Sequence, residues 1–424
     1  MNNNPTRSRQ VAAAVIGNAL EWYDFVVFGF MTVIISKLFF PAEHEYSALL
    51  LTTATFGVGF FMRPVGGMVL GMYADRHGRK AALQIIIGMM TVAMALIVFA
   101  PLPAAIGIGA PLTIVLARLL QGFATGGEYA IATSFLVESA PPGRRGFYGS
   151  LQQVGLSLAA LGGALAGMFV TLVLSPEQLE SWGWRLPFAV GLLIGPVGMW
   201  VRRHLEETPE FLEVKASAPA RQSLGQVLRT HWRGALIAFG LTVCGTITYY
   251  VVLIYMPTFA RTQLHLPLGE AFFAQVIALL CMTALIPTVG HLSDRIGAKL
   301  PMLLGIGLLL VVLLPLFHWL HAAPSLMRLV VVQVTFCSLI GIYYGPIATA
   351  VADQFPTGVR STGLSLAYNL AVMLFGGFAQ FFVTWLIRVT GEPIAAAYYV
   401  VFGTIVGLVA TLALRSGAAR AGLP

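Results

Sequence analysis

Gly71-Met-Tyr-Ala-Asp75-Arg76-His-Gly78-Arg79-Lys80 returns 219 residues later as Gly290-His-Leu-Ser-Asp294-Arg295-Ile-Gly297-Ala-Lys299. A second echo follows at almost the same offset. Pro141-Pro-Gly143-Arg144-Arg145 returns after 215 residues as Pro356-Thr-Gly358-Val-Arg360. One such match is weak evidence. Two at nearly one offset describe a chain built from two related halves.

The sequence around these echoes is apolar. Of 424 residues, 58% are hydrophobic and 10% charged, where a soluble domain carries roughly 25% charged residues. So few charges cannot build a water-facing surface of this size. Runs at 83–100, 147–174, 234–260, 303–317 and 398–414 reach or approach the ~20 residues needed to cross a bilayer. Helices are predicted near 11–37, 46–74, 81–100, 111–139, 147–174, 185–203, 233–260, 268–292, 300–320, 326–352, 362–387 and 394–414. The expected fold is an all-α membrane protein with twelve transmembrane helices in two pseudo-symmetric six-helix bundles. Residues 1–203 form one bundle and 233–424 the other. The longest polar stretch, 204–232, with Glu206, Glu207, Glu210, Glu213 and Lys215, reads as the linker between them.

Charge sets the orientation. The even-numbered loops and both termini hold eighteen Lys and Arg residues, the opposite side five. Basic residues favour the cytoplasmic side, so both termini are expected there, in a cytoplasmic (inner) membrane. The net charge of +8 comes with no basic stripe interleaved with aromatics, which argues against nucleic acid as a partner. Cys244, Cys281 and Cys337 lie in apolar runs, with the spacing of neither a disulfide framework nor a metal site. No cleavable signal is read at the start: the first apolar run is too long and lacks an A-x-A site.

The loop after the second predicted helix resembles the signature of the major facilitator superfamily. So does Arg118-Leu-Leu-Gln121-Gly122-Phe-Ala-Thr-Gly126, followed by Glu138 and the Arg144/Arg145 loop, and so does Glu206-Glu-Thr-Pro-Glu210. Within it, Gly17-Asn18-Ala-Leu-Glu21-Trp22-Tyr23-Asp24-Phe25 and Phe61-Met-Arg63-Pro64-Val-Gly66-Gly67 resemble the metabolite:proton symporters. Phe39-Phe-Pro-Ala-Glu43, Ser181-Trp-Gly-Trp-Arg185, Tyr255-Met-Pro-Thr258 and Arg360-Ser-Thr-Gly-Leu-Ser365 are most similar to citrate and tricarballylate carriers. Such a carrier is expected to have Val-Glu-Leu after Gly126, where this chain has Gly127-Glu128-Tyr129.

Five charges fall deep in the predicted spans: Glu21, Asp24, Glu128, Arg63 and Arg118. Each costs about 2.5–3.5 kcal/mol at mid-bilayer, and such residues usually face a polar interior. All five belong to the first, second and fourth helices, which places a wet cavity in the first half. The alternative is a static ion-pair network that only holds helices together. Asp24 lies about 20 Å along the first helix at ~1.5 Å per residue. The resemblance implies that it faces Arg118. A neighbouring cation favours the charged carboxylate while loss of water favours the neutral acid, so opening and closing the cavity moves the proton on and off. Asp24 is the first candidate for proton coupling, with Glu21 and Glu128 behind it. Arg63 and Arg118 are the anion anchors, because a guanidinium fork matches a carboxylate. If Arg118 pairs with Asp24 when empty, protonation of Asp24 frees it for cargo. Arg63 also reads as a gate residue, since it precedes Pro64. Asn18, Tyr23, Gln121, Gln152, Tyr249, Tyr250 and Asn369 complete the candidate cargo contacts; each also reads as an ordinary interhelical hydrogen bond. Asp75, Arg79, Glu138, Arg145, Asp294 and Arg360 are the expected inward gate.

The function expected is proton-coupled uptake of a di- or tricarboxylate, with no cofactor, no metal and one chain as the working unit. Sodium in place of the proton stays open. The alternative cargoes are 2-oxoglutarate, shikimate and a zwitterion such as proline or betaine. Drug efflux fits less well with two deep arginines. A membrane enzyme fits poorly, because no Walker A, H-E-x-x-H or G-x-S-x-G is found. The charge asymmetry is tested by fusing a reporter active only outside the cytoplasm. It should be silent after Arg415 and active in the loop that follows Arg261; the reverse pattern overturns the orientation.

Overall fold

The structure, a computed structural model, describes residues 5–40, 44–77, 79–126, 128–203, 224–356 and 359–414. Among the described residues there is no strand. Helices occupy each predicted segment: α1 (Pro5–Phe30, continued after a bend by Thr32–Phe39), α2 (Glu45–His77), α3 (Arg79–Val98), α4 (Gly109–Ala124, then Glu128–Glu138), α5 (Arg145–Val173) and α6 (Leu186–Arg203). Then come α7 (Leu224–Thr248, through Tyr249–Tyr255 to Met256–Thr262), α8 (Leu268–Ile296), α9 (Lys299–Ala322), α10 (Leu326–Ala352), α11 (Arg360–Ala371 through to Ala379–Thr390) and α12 (Ala395–Leu412). Eight described helices are long and apolar enough to cross a membrane, or nine when the bent pair in α1 counts as one span. Residues 204–223 lie outside the described residues, and the chain re-enters as helix at Leu224, with a kink at His231.

Glycine decides how two of the helices that matter most come together. A methyl group on Gly122 of α4 would overlap the carbonyl oxygen of Gly59 on α2. One on Gly66 would overlap the carbonyl of Phe123, and one on Gly126 that of Arg63. A Cβ on Gly59 would sit 2.8 Å from the Arg118 carbonyl oxygen. The α2 and α4 backbones therefore touch, as small-residue spacing permits in a membrane where no hydrophobic force drives helices together. Arg63 and Arg118 leave these two backbones next to the contact. The seam between the halves uses the same device. A Cβ on Gly290 of α8 would meet Ser150 of α5 at 2.5 Å, and one on Gly146 of α5 would meet the Gly290 carbonyl oxygen, also at 2.5 Å.

Four helices are interrupted near the middle. α1 turns by 62° at Met31, where the Thr32 hydroxyl donates to the Gly29 carbonyl at 2.7 Å and competes with the helical ladder. α4 breaks after Thr125. α7 widens into π-helical turns over Tyr249–Tyr255 and α11 over Val372–Gly376. Wide turns and broken helices are tolerated at membrane depth only when buried in protein or lining a cavity, and they gather at binding sites.

Gly122→Ala should force α2 from α4 and lower stability by about 1–3 kcal/mol. Gly88→Ala, where a Cβ meets nothing within 4 Å, should be neutral or slightly stabilising. Melting temperatures of the two purified variants check the pair.

Candidate functional site

Two guanidinium groups are held inside the bundle by aromatic rings. Arg63 and Arg118 are 1% and 0% exposed. Arg63 Cζ lies 4.8, 4.6 and 4.3 Å from the ring centroids of Trp22, Phe25 and Phe60. Arg118 Cζ lies 4.5, 4.7 and 4.9 Å from those of Phe25, Phe28 and Phe56. Both cations thus share Phe25. Ring faces attract cations but accept no strong hydrogen bond, and Nε and Nη2 of each arginine have no hydrogen-bond partner. Arg118 Nη1 donates to Gln121 Oε1 at 2.7 Å. Tyr250 packs edge-on against Phe56 and Phe60 at 5.7 and 5.4 Å, and its hydroxyl is also without a partner. The result is a cluster of buried donors with spare capacity and net positive charge, which suits an anion.

A cavity of about 30 Å³ opens beside this cluster, lined among others by Trp22, Tyr129, Gln153, Tyr249, Tyr344 and Tyr368. A single water needs about 10–15 Å³, so the site is shut down around room for roughly two. It is sealed at the end away from Glu138 and Arg360 by aromatic packing between the halves. Phe30 meets Phe272 edge-on at 5.7 Å, Phe378 covers Gly57, and Phe60 covers Gly377.

The acids divide. Asp24 is buried, faces Gly191 of α6 and Met94 of α3, and its Oδ1 has no hydrogen-bond partner. A methyl on Gly191 would overlap that oxygen, so the glycine makes its room. Among the described residues no ion pair joins Asp24 to Arg118. Arg118 instead bonds Gln121 through Nη1, since residues three apart on one helix are neighbours. Gln121 Nε2 in turn donates to Met94 Sδ at 3.1 Å. Glu21 lines a smaller cavity with Arg63, Trp22, Phe25, Thr125 and Tyr129. The side chain of Glu128 lies outside the described residues, as do those of Asp75 and Arg79.

Several candidate cargo contacts are engaged in holding helices. Asn18 and Gln152 bond each other, Asn18 Nδ2 to the Gln152 carbonyl at 3.4 Å and Gln152 Nε2 to Asn18 Oδ1 at 3.3 Å. Tyr23 donates to the Pro187 carbonyl at 2.8 Å. Asn369 donates to the Gly126 carbonyl at 2.8 Å, where the break in α4 leaves that carbonyl available. Tyr249 lines the cavity but donates to the Leu156 carbonyl at 3.2 Å. The glutamine of α5 that reaches the cavity is Gln153 rather than Gln152. One step along a helix turns a side chain by about 100°, which apolar patterning in an all-apolar helix does not register. Trp22 and Tyr129 line the cavity as well; aromatic residues beside the deep charges were the available signal.

Glu138, Arg145 and Arg360, expected at the inward gate, belong to one contact made twice. Arg360 Nη1 meets Glu138 Oε1 at 2.6 Å and Arg145 Nη2 meets Asp353 Oδ1 at 2.9 Å. The 215-residue offset carries Glu138 onto Asp353 and Arg145 onto Arg360, so the two bridges are repeat mates crossing between halves. Asp294 accepts from the backbone N–H groups of Gly146 and Phe147 at 2.6 and 3.2 Å, capping the N-terminus of α5, where the helix dipole favours an anion.

A family model described as Major Facilitator Superfamily matches residues 14–379. A citrate-proton symporter of Salmonella typhi is 37% identical, the alignment covering 94% of this chain and 92% of that protein. A proline/betaine transporter of Salmonella typhimurium is 31% identical over 97% and 84% of the two chains. The crystal structure of a D-xylose-proton symporter superposes with a TM-score of 0.77 at 19% identity, covering 95% of this chain and 96% of its own.

Tyr250→Phe removes a hydroxyl with no partner in the protein, so melting should stay put while the KM for cargo rises about 5–10-fold, the value of one hydrogen bond. Tyr344→Phe removes a donor to the Gly245 carbonyl at 2.7 Å and should instead lower stability by about 1 kcal/mol. Thermal melts and uptake kinetics on both separate the two cases.

Proposed function

The chain belongs to the major facilitator superfamily and is a secondary active transporter rather than an enzyme; we propose that it carries a di- or tricarboxylate such as citrate or tricarballylate inward with protons, by alternating access. The observation that carries this reading is the donor cluster. Arg63 and Arg118 stand on either hand of Phe25 with free N–H groups, and the Tyr250 hydroxyl stands beside them. Two buried cations whose Nε and Nη2 groups make no hydrogen bond are costly in a membrane, and an anion with two or three carboxylates offsets that cost. The citrate-proton relatives, aligned over most of both chains, support the same cargo class.

The proton side rests on Asp24, with Glu21 and Glu128 as further acids of the same half. A buried carboxyl oxygen without a hydrogen-bond partner is kept at a price that only function repays. Asp24 and Arg118 communicate through Met94 and Gln121 rather than by a direct bond, so a change of charge at Asp24 is felt at the anion anchor by field and by rearrangement of Gln121. The protein sits in the cytoplasmic membrane with both termini inside, the halves 1–203 and 233–424 rock about the site, and the crossed Glu138–Arg360 and Arg145–Asp353 bridges close the inner side. These bridges are partly wet and therefore cheap to break.

The aromatic lining favours one second reading. Trp22, Tyr129, Tyr249, Tyr250, Tyr344 and Tyr368 surround the cavity, and ring faces attract quaternary ammonium groups, so a betaine with its carboxylate on the arginines is the alternative cargo. Uptake by purified protein in vesicles decides. Labelled citrate, tricarballylate, 2-oxoglutarate, shikimate and betaine are each offered with an imposed pH gradient, then with sodium. Citrate or tricarballylate should accumulate under the pH gradient alone; accumulation of betaine and not of either would sink the primary reading. Asp24→Asn should abolish accumulation while sparing exchange. Arg118→Lys should raise the KM for a tricarboxylate at least about tenfold, the worth of a charge-assisted hydrogen bond.

A further inference from the structure

The inner end of the cavity is closed by two tyrosine rings, one from each half. Tyr129 of α4 and Tyr368 of α11 lie face to face, centroids 3.6 Å apart and planes 6° from parallel. Both rings line the cavity on one side. On the other side the same two helices continue as a zipper. Ser361 meets Ser134 at 3.3 Å, and beyond them Arg360 bridges Glu138. Asn369, next to Tyr368, holds the Gly126 carbonyl at 2.8 Å. The stack is therefore the rung of this zipper that touches the cavity.

Its geometry is unusual for a permanent contact. Aromatic quadrupoles prefer offset or edge-on arrangements to a face-to-face sandwich, and Tyr250 meets Phe56, Phe60 and Tyr249 edge-on. A sandwich so close is held by its neighbours. One of these is Gln153 of α5, whose Nε2 donates to the Tyr129 hydroxyl at 3.4 Å. Gln153 also lines the cavity, and its Oε1 has no partner. The 215-residue offset carries Gln153 onto Tyr368 and Tyr129 onto Tyr344. The repeat mate of the stack is thus a Tyr344–Gln153 juxtaposition, and Tyr344 is tied to its own half through the Gly245 carbonyl. Of the two symmetry-related positions, only one carries a ring-on-ring seal.

We infer that the Tyr129–Tyr368 stack is the inner gate of the transport cavity and that Gln153 couples cargo to it: an acceptor on the cargo draws the Gln153 amide donor from the Tyr129 hydroxyl and releases the sandwich. Gln153 is a positioning residue in this scheme, acting on the gate through Tyr129. The coupling rests on the proposed transport role of the cavity; the gate itself does not.

The test reads access to the cavity from the face that bears Glu138 and Arg360. A Thr246→Cys probe places a thiol on the cavity wall; labelling of Cys244, Cys281 and Cys337 is subtracted with the parent protein. An impermeant thiol reagent is applied at that face in vesicles, with and without citrate or betaine. Tyr129→Leu should raise labelling without cargo several-fold, up to about tenfold, the weight of one aromatic pair. Tyr368→Leu should do the same from the other half and guards against misfolding of the first variant. Tyr129→Phe keeps the ring and loses the hydroxyl that Gln153 holds: labelling without cargo should rise toward the cargo-bound level of the parent, and cargo should change it no further. Two folded Leu variants that label at the parental rate overturn the gate. A Tyr129→Phe protein that still responds to cargo overturns the coupling through Gln153. A parent protein indifferent to both compounds counts against the transport reading of the cavity, and against the coupling with it, while the Leu variants still judge the gate.

Discussion

The contact between the α2 and α4 backbones is the constraint on which the site depends. Glycine at 59, 66, 122 and 126 lets two helices approach until carbonyl oxygens face bare Cα atoms. Nothing larger fits. This brings Arg63 and Arg118 into one aromatic enclosure around Phe25, where each would otherwise have its own surroundings. Two like charges in a low-dielectric interior repel and have lost their water. The rings of Trp22, Phe25, Phe28, Phe56 and Phe60 recover part of that loss through their negative faces. The remainder is left as attraction for an anion.

Seen this way, the seals on the two sides of the cavity have different physics because they do different work. The outer side is shut by apolar surfaces, Phe30 on Phe272 and Phe378 over Gly57, which stay together without directional bonds. The inner side is shut by a graded series along α4 and α11, with an ion pair at the rim, hydroxyls below it and stacked rings at the cavity. Wet ion pairs exchange readily with water, so the outermost rungs set the balance of states. The rung that lines the cavity is the aromatic one. Asp294 on the N-terminus of α5 adds a contact in which a carboxylate reads backbone amides, one that separates as a unit when the halves move.

Much of this was legible from the chain alone. The two echoes placed the halves in relation, and the crossed bridges obey the same offset to the residue. The five deep charges singled out the first half, and Arg63, Arg118 and Tyr250 do come together. Polar residues deep in apolar helices were harder to assign. Asn18, Gln152, Tyr23 and Asn369 are chemically able to hold cargo, but each is spent on a neighbouring helix. A hydrogen-bonding group in a membrane takes the nearest partner, and spacing along one helix does not say which helix will be nearest. Asp24 and Arg118 form no ion pair here, and Gln121, three residues along, takes one of the guanidinium donors.

Composition, charge asymmetry and the internal echoes determined by themselves that the chain crosses a membrane many times, in two related halves, with cations and acids buried in the first. These are properties of segment length and of charge counted along the chain, and the bilayer imposes them on each helix separately. Only the tertiary structure decided which side chains share a space: that Phe25 lies between two arginines, that Gln153 rather than Gln152 meets the cavity, and that Tyr129 rests on Tyr368. Rotation of each helix about its axis is set by packing against its neighbours, and in helices apolar on every face no periodicity records it.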